Sequence, residues 1–216
     1  MKTENRYIVI EGPIGAGKTT IASLFADHIN AKLVLEQVKE NPFLKEFYKS
    51  NMKNAFETQL FFLLSRYQQQ QELLEADLFQ SNIVADYLFH KERIFANLTL
   101  TENERNLYYK VYSLLRRDIL KPDLVVVLYA PVDSLMDRIR SRGNAYEDAL
   151  SGEYLTRLSQ TYLEFFYDYN DSPVLMVNTE GIDPVHNTEQ RLDLFEAILK
   201  TTNGRNYYNP PKGTLV

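Results

Sequence analysis

Short, almost unbroken apolar runs recur along the chain at 7–11, 32–35, 82–85, 123–129 and 174–177, rich in Val, Ile and Leu. A strand with one wet face would alternate apolar and polar residues. These do not, so they read as strands buried on both faces, the pattern of a parallel sheet. Between them, apolar residues recur at helical spacing, which predicts helices over 18–29, 42–48, 55–76, 88–97, 102–120, 132–140, 151–169 and 187–200, with N-caps near Asp133 and Thr188. The expected fold is α/β: a central five-stranded parallel sheet flanked by helices. Residues 1–202 form one domain, and 203–216, with Pro210-Pro211 and two glycines, form a tail that is either a docked extended arm or disordered. Tyr207 and Tyr208 favour docking. The run Gln68–Gln71 reads as a solvated part of the long helix.

Open parallel sheets bind ligands at the carboxyl ends of their strands. After the first strand the chain reads Gly12-Pro13-Ile14-Gly15-Ala16-Gly17-Lys18-Thr19-Thr20, which fills the pattern glycine, four residues, Gly-Lys-Thr. Strand before and helix after are the context in which this loop cradles phosphates. The glycines allow a tight turn with inward N–H groups, and the helix N-terminus adds its positive dipole end. Lys18 is expected on the terminal phosphates, and Thr19 on Mg²⁺. A bound nucleoside triphosphate, ATP with Mg²⁺, is the implied ligand.

The second strand ends at Glu36 and the third at Asp86. Taken singly, either acid has an ordinary alternative as a helix cap or surface ion pair. Together, at strand ends beside a phosphate loop, they suit phosphoryl transfer: Asp86 near the metal, and Glu36 to take the proton of an attacking hydroxyl. After the fourth strand comes Arg138-Ile-Arg-Ser-Arg142-Gly143. It is either a solvated helix end with favourable charge placement or an arginine lid, about 138–152, whose planar cations meet phosphate oxygens. Gly143 and Asn144 would permit a hinge, and the position favours the lid.

Bulk properties narrow the class. The 216 residues carry a net charge of −5, which disfavours a general nucleic-acid surface. There is no cysteine, so no disulfide framework or thiolate metal site. His28, His90 and His186 lack metal-ligand spacing and read as surface or packing residues. No apolar run is long enough to span a membrane, and the first strand begins too early for a targeting peptide. A cytoplasmic enzyme with neither nucleic-acid nor membrane partner is expected.

At this point several segments in order resemble the deoxynucleoside kinases, most closely the bacterial deoxyguanosine kinases. They are Glu11 to Thr20, Asn41-Pro42-Phe43-Leu44, Ala85-Asp86-Tyr87, Ile94-Phe95-Ala96, Lys121-Pro122-Asp123, and Arg138 to Arg142-Gly143. The resemblance runs from about Tyr7 to Asp183. It implies a P-loop kinase fold with an arginine-bearing lid and transfer of the ATP γ-phosphate to a deoxynucleoside 5′-hydroxyl. It further implies Glu36 as base, Asp86 with Mg²⁺, and Lys18, Arg138 and Arg142 at the phosphates. Tyr48 and Glu147 would hold the sugar 3′-hydroxyl, and Gln59 and Arg66 would read the base edge. Those last two lie seven residues apart on the long helix, almost two turns, and so share a face. A homodimer through helices flanking the long one is also implied, with the aromatic-rich stretch 55–64 as an apolar face.

Two positions depart from the family pattern. Tyr87 replaces the Arg that usually follows the Mg²⁺ acid, a feature similar to the deoxyguanosine branch. Asn144 stands where the lid often has another Arg, and Arg140 could substitute. The stretch where relatives often place a base-contacting Asp carries His90 and Lys91. Alternatives are a deoxyadenosine/deoxycytidine kinase and a nucleoside monophosphate kinase. The latter usually needs an Arg beside the acid, where Tyr87 stands. A triphosphate-binding switch module would carry Asn-Lys-x-Asp and Asp-x-x-Gly elements, and neither occurs.

Overall fold

A computed structural model describes residues 6–49, 52–75, 82–144, 147 and 149–210. Six strands form one sheet in the order β2-β3-β1-β4-β5-β6, and every pairing is parallel. They are β1 Tyr7–Glu11, β2 Lys32–Val34, β3 Ile83–Ala85, β4 Leu124–Tyr129, β5 Val174–Asn178 and β6 Arg205–Tyr208. The expected count was five. The sixth strand comes from the segment read as a tail: Tyr207 pairs with Met176 and Tyr208 with Val177. Its exposed Asn206 and Tyr207 give no apolar run, so the pattern that marks central strands is missing at this edge.

The helices are α1 Lys18–Ile29, α2 Leu44–Lys49, α3 Ala55–Glu75, α4 Glu92–Thr99, α5 Glu102–Leu115, α6 Val132–Arg142, α7 Gly152–Asp168 and α8 Thr188–Lys200. Ser151 and Asn187 are N-caps whose side chains accept from the backbone N–H of Tyr154 and Gln190. The expected helix 88–97 splits into a 3₁₀ turn, Phe89–Lys91, followed by α4. The expected helix 102–120 gives way after Leu115 to a 3₁₀ turn, Arg116–Asp118. Residue 76, the last of the expected long helix, lies outside the described residues. Among the described residues no helix is long and apolar enough to cross a membrane.

All five residues of β1 and the first five of β4 are buried. Each such aliphatic side chain contributes about 1.5–3 kcal/mol relative to exposure. This sheet core is what holds the strand tips in fixed relation. A second apolar cluster, built on Phe47, Leu63, Phe89, Tyr108 and Tyr112, packs α2, α3 and α5 together.

The glutamine run is not solvated throughout. Gln69 donates to Leu35 O at 2.9 Å, while Gln70 is buried, donating to the Tyr7 hydroxyl at 3.2 Å and accepting from Leu120 N. These amides tie α3 to the strands beneath it, a use that composition alone does not reveal. His28 packs on Phe195 with ring centroids 5.0 Å apart. Among the described residues no group of His, Asp and Glu has a metal-binding arrangement of three or more.

Candidate active site

The strand order sets the site. Because β3 lies between β2 and β1, the tips of these three strands deliver Glu36, Asp86 and the glycine loop side by side. Val34 pairs with Ala85 and Ala85 with Val9, so the three tips are in register.

The loop is shaped by close backbone packing. Gly12 has φ +152°, and a Cβ there would lie 2.4 Å from Leu128 O in β4. Gly15 has φ +83°, and its Cβ would lie 2.6 Å from Leu135 O in α6. Gly17, at φ +94°, faces open space and caps α1 without a side-chain bond, so no cap side chain occupies the first-turn N–H groups. Lys18 Nζ donates to Gly12 O at 2.8 Å and Pro13 O at 3.1 Å. Burial, and then the neighbouring Lys91 charge, pull the Lys18 ammonium below its usual range. Ile14, Gly15, Gly17, Lys18 and Thr19 line the cavity. Gly12, Pro13 and Ala16 are buried, and neither they nor the exposed Thr20 line the cavity.

Asp86 joins two elements. Its Oδ2 accepts from Thr19 Oγ1 at 2.6 Å, and its Oδ1 accepts from the Glu36 backbone N–H at 2.7 Å. A hydroxyl and a carboxylate beside the phosphate loop, with neither thiolate nor imidazole, are hard oxygen donors that fit Mg²⁺.

Glu36 projects into the same cavity with its side chain 11% exposed. Arg66 Nε donates to its Oε1 at 2.8 Å, and Lys91 Nζ donates to its Oε2 at 2.8 Å. Burial alone would raise this carboxyl. Arg66 and Lys91 outweigh it and bring it down to about 2, so it is ionised at neutral pH. Arg66 also pairs with the fully buried Glu92, which accepts the Tyr108 hydroxyl.

The cavity, about 440 Å³, is of small-molecule size and is further lined by Tyr48, Gln59, Phe62, Phe95, Tyr162, Arg142 and Glu147. Gln59 is 2% exposed, and its amide makes no hydrogen bond to another described residue. Arg142 meets Glu147 as a fork, with Nη2 2.7 Å from Oε1 and Nε 3.1 Å from Oε2, and Asn144 Nδ2 adds a 3.2 Å bond. Thus Arg142, expected on phosphates, is here held by the carboxylate expected on the sugar. Arg138, also expected on the phosphates, is not among the cavity-lining residues. Its guanidinium donates to Thr179 Oγ1 at 3.0 Å and Thr179 O at 2.6 Å, beyond the end of β5.

Three buried charges escaped the sequence reading. Glu11 accepts from Gly12 N at 2.9 Å, Leu88 N at 2.7 Å and the Tyr162 hydroxyl at 3.1 Å, bracing the loop against the turn after β3. Lys91 and Glu92 sit in the polar run His90-Lys91-Glu92-Arg93, which reads as a solvated segment. No local signal marks them as buried, because charges are buried only when paired and their partners lie far off in sequence.

Comparisons with known proteins follow the same lines. The model of the family described as deoxynucleoside kinase matches residues 8–203. A deoxyguanosine kinase of Bacillus subtilis (strain 168) is 36% identical over 157 residues, covering 72% of this chain and 76% of the relative. A deoxyadenosine kinase of Dictyostelium discoideum is 32% identical over 215 residues, covering 96% and 85%. Among solved structures, a deoxyadenosine kinase from M. mycoides with bound dATP superposes with a TM-score of 0.78 at 26% identity, covering 90% of this chain and 100% of that one.

Proposed function

The chain belongs to the deoxynucleoside kinase family and is an enzyme that transfers phosphate, and from that premise we propose that it phosphorylates the 5′-hydroxyl of a purine deoxynucleoside, deoxyguanosine in the first instance, with ATP as donor. The observation that carries this reading is a single cavity lined by Lys18, Thr19 and Asp86 beside the phosphate loop, by Glu36, and by Gln59 and Arg66.

In this reading the glycine loop and Lys18 hold the ATP phosphates. Thr19 and Asp86 hold Mg²⁺, which when bound offsets charge on the phosphate oxygens. Tyr48 and Glu147 orient the sugar, Gln59 and Arg66 the base, and Phe62 and Phe95 wall the slot. The ionised Glu36 accepts the 5′-hydroxyl proton as that oxygen bonds to the γ-phosphorus and the bond to the ADP leaving oxygen breaks. A loose transition state asks little basicity of the acceptor, so a carboxylate held low by two cations can serve. Arg142 and Arg138 stand one helical turn apart on α6. To close over the phosphates they must leave Glu147 and Thr179.

Deoxyguanosine is favoured over the deoxyadenosine/deoxycytidine alternative by Tyr87 next to Asp86, and a relative named deoxyguanosine kinase agrees. A homodimer formed through the exposed Leu64, Leu107 and Leu114 of α3 and α5, and a cytoplasmic location, complete the proposal. A panel of deoxynucleosides and their 5′-monophosphates, with ATP and Mg²⁺ and products separated by chromatography, is the deciding experiment. Deoxyguanosine is expected to give the highest kcat/KM. Preference for deoxyadenosine or deoxycytidine would overturn the base assignment, and turnover of monophosphates alone would overturn the acceptor.

A further inference from the structure

Lys91 is a lysine that solvent barely reaches, 3% exposed, at the end of the 3₁₀ turn Phe89–Lys91 that follows β3 and Asp86. Buried as it is, it lines the cavity, and its Nζ reaches Glu36 there. An ammonium is seldom buried without a task or a partner. Its contacts are specific: 2.8 Å to Glu36 Oε2, and 4.0 Å to Glu11 Oε2.

The turn that carries it is fastened to the phosphate loop. Glu11 holds the Gly12 N–H with one carboxylate oxygen and the Leu88 N–H with the other, and Lys91 N donates to Leu88 O at 3.1 Å. A continuous set of bonds therefore runs from the loop, through Glu11 and Leu88, to Lys91 and the carboxylate of Glu36. Arg66 grips the other oxygen of that carboxylate from α3. With only Arg66, the Glu36 side chain could rotate about its bonds toward α3. With Lys91 on the second oxygen, it is pinned from both sides, and from the side that is registered to the phosphates.

We propose that Lys91 is a positioning residue for phosphoryl transfer: its ammonium fixes the Glu36 carboxylate at the distance from the phosphate loop that the reaction needs. The proposal rests on the reading of Glu36 as proton acceptor. Misplacing a reacting group by about 1 Å costs roughly 10²-fold in rate. The loss belongs in turnover, because the Lys91 ammonium is engaged with Glu36 and Glu11 and not with Gln59, the residue read as setting nucleoside affinity.

The test compares Lys91→Met, Lys91→Arg, Lys91→Ala and Glu36→Gln in full-length protein, with single-turnover rates and direct binding of ATP and deoxynucleoside. Lys91→Met should lose about 10²-fold in the transfer rate with both affinities within about threefold. Lys91→Arg should recover most of the loss, and ethylammonium added to Lys91→Ala should restore rate saturably. A lysine that merely filled space would be served by Met and not by an added amine. Wild-type rates in Lys91→Met while Glu36→Gln is impaired would overturn the role of Lys91 alone. Wild-type rates in Glu36→Gln would instead remove the proton-acceptor reading and this proposal with it. If Lys91→Met does not fold, the amine response of Lys91→Ala decides: rescue supports the role, and none overturns it.

Discussion

The backbone N–H of Glu36 donates to Asp86 Oδ1 at 2.7 Å, so the tips of β2 and β3 are locked together by a side chain. The other oxygen of the same carboxylate receives Thr19. One acid thus sets the mutual position of the phosphate-loop helix, the proposed metal donors and the proposed base.

Asp86→Asn should break that arrangement unevenly. An amide can keep the bond from Glu36 N through its oxygen, but its NH₂ turned toward Thr19 meets a hydroxyl that must now accept. The substitution also removes the negative charge on the proposed metal site. The Mg²⁺ concentration for half-maximal activity should rise by at least the ~10–100-fold typical of losing a supporting partner. Titrating Mg²⁺ at saturating ATP checks this. An unchanged Mg²⁺ requirement would remove Asp86 from the metal.

Glu36→Gln should lower turnover about 10²–10⁴-fold if the carboxylate takes the proton. It also carries a signature in stability. The folded carboxyl sits near 2, below its ordinary value of 4.5. Its contribution is therefore full above about 4.5 and fades as pH falls toward 2. At pH 7 the Gln variant, leaving two buried cations short of a partner, should be about 3 kcal/mol less stable. The gap should begin to close below about pH 4.5. Denaturant midpoints for both proteins at pH 7, 5 and 3.5 measure it, and a gap constant with pH counts against the ion-pair account.

Gln59→Leu should separate the two substrates. The amide is buried, turned into the cavity and unpaired within the described protein, which suits a polar base edge. Deoxynucleoside affinity should fall about 10–100-fold with ATP affinity unchanged, as read by calorimetric titration. Equal losses for both would make the residue structural.

The loop glycines should fail in different ways. Gly12→Ala drives a Cβ against Leu128 O, a backbone atom of the central strand β4. It should cost about 1–3 kcal/mol of stability, as overpacking does. Gly17→Ala meets no atom and bears only its left-handed φ, so the folded protein should persist while ATP binding weakens. Thermal midpoints and nucleotide titrations of the pair distinguish clash from strain.

The sheet and the phosphate loop were readable because each rests on local pattern: continuous apolar strands, and glycines at fixed spacing. Glu36 and Asp86 were readable because strand ends face the ligand crevice in any open parallel sheet. The Arg66–Glu36–Lys91 cluster was not. It joins residues 30 and 55 positions apart in sequence, and nothing local marks a buried lysine as different from a solvated one. Strand β6 was hidden for a related reason. An edge strand with one partner needs few apolar residues, so its periodicity is weak. Gln70 escaped because a glutamine run looks solvent-facing until the opposing Tyr7 hydroxyl and Leu120 amide are in view.

The last strand has a practical consequence for handling the protein. Residues 205–208 shield one whole flank of β5, whose Val174–Val177 segment is wholly buried. A chain trimmed at residue 204 would present that aliphatic ribbon, with its unpaired amides, as a template for intermolecular strand addition. Shortened versions should therefore precipitate or form higher-order species, although every side chain proposed for chemistry is still in place.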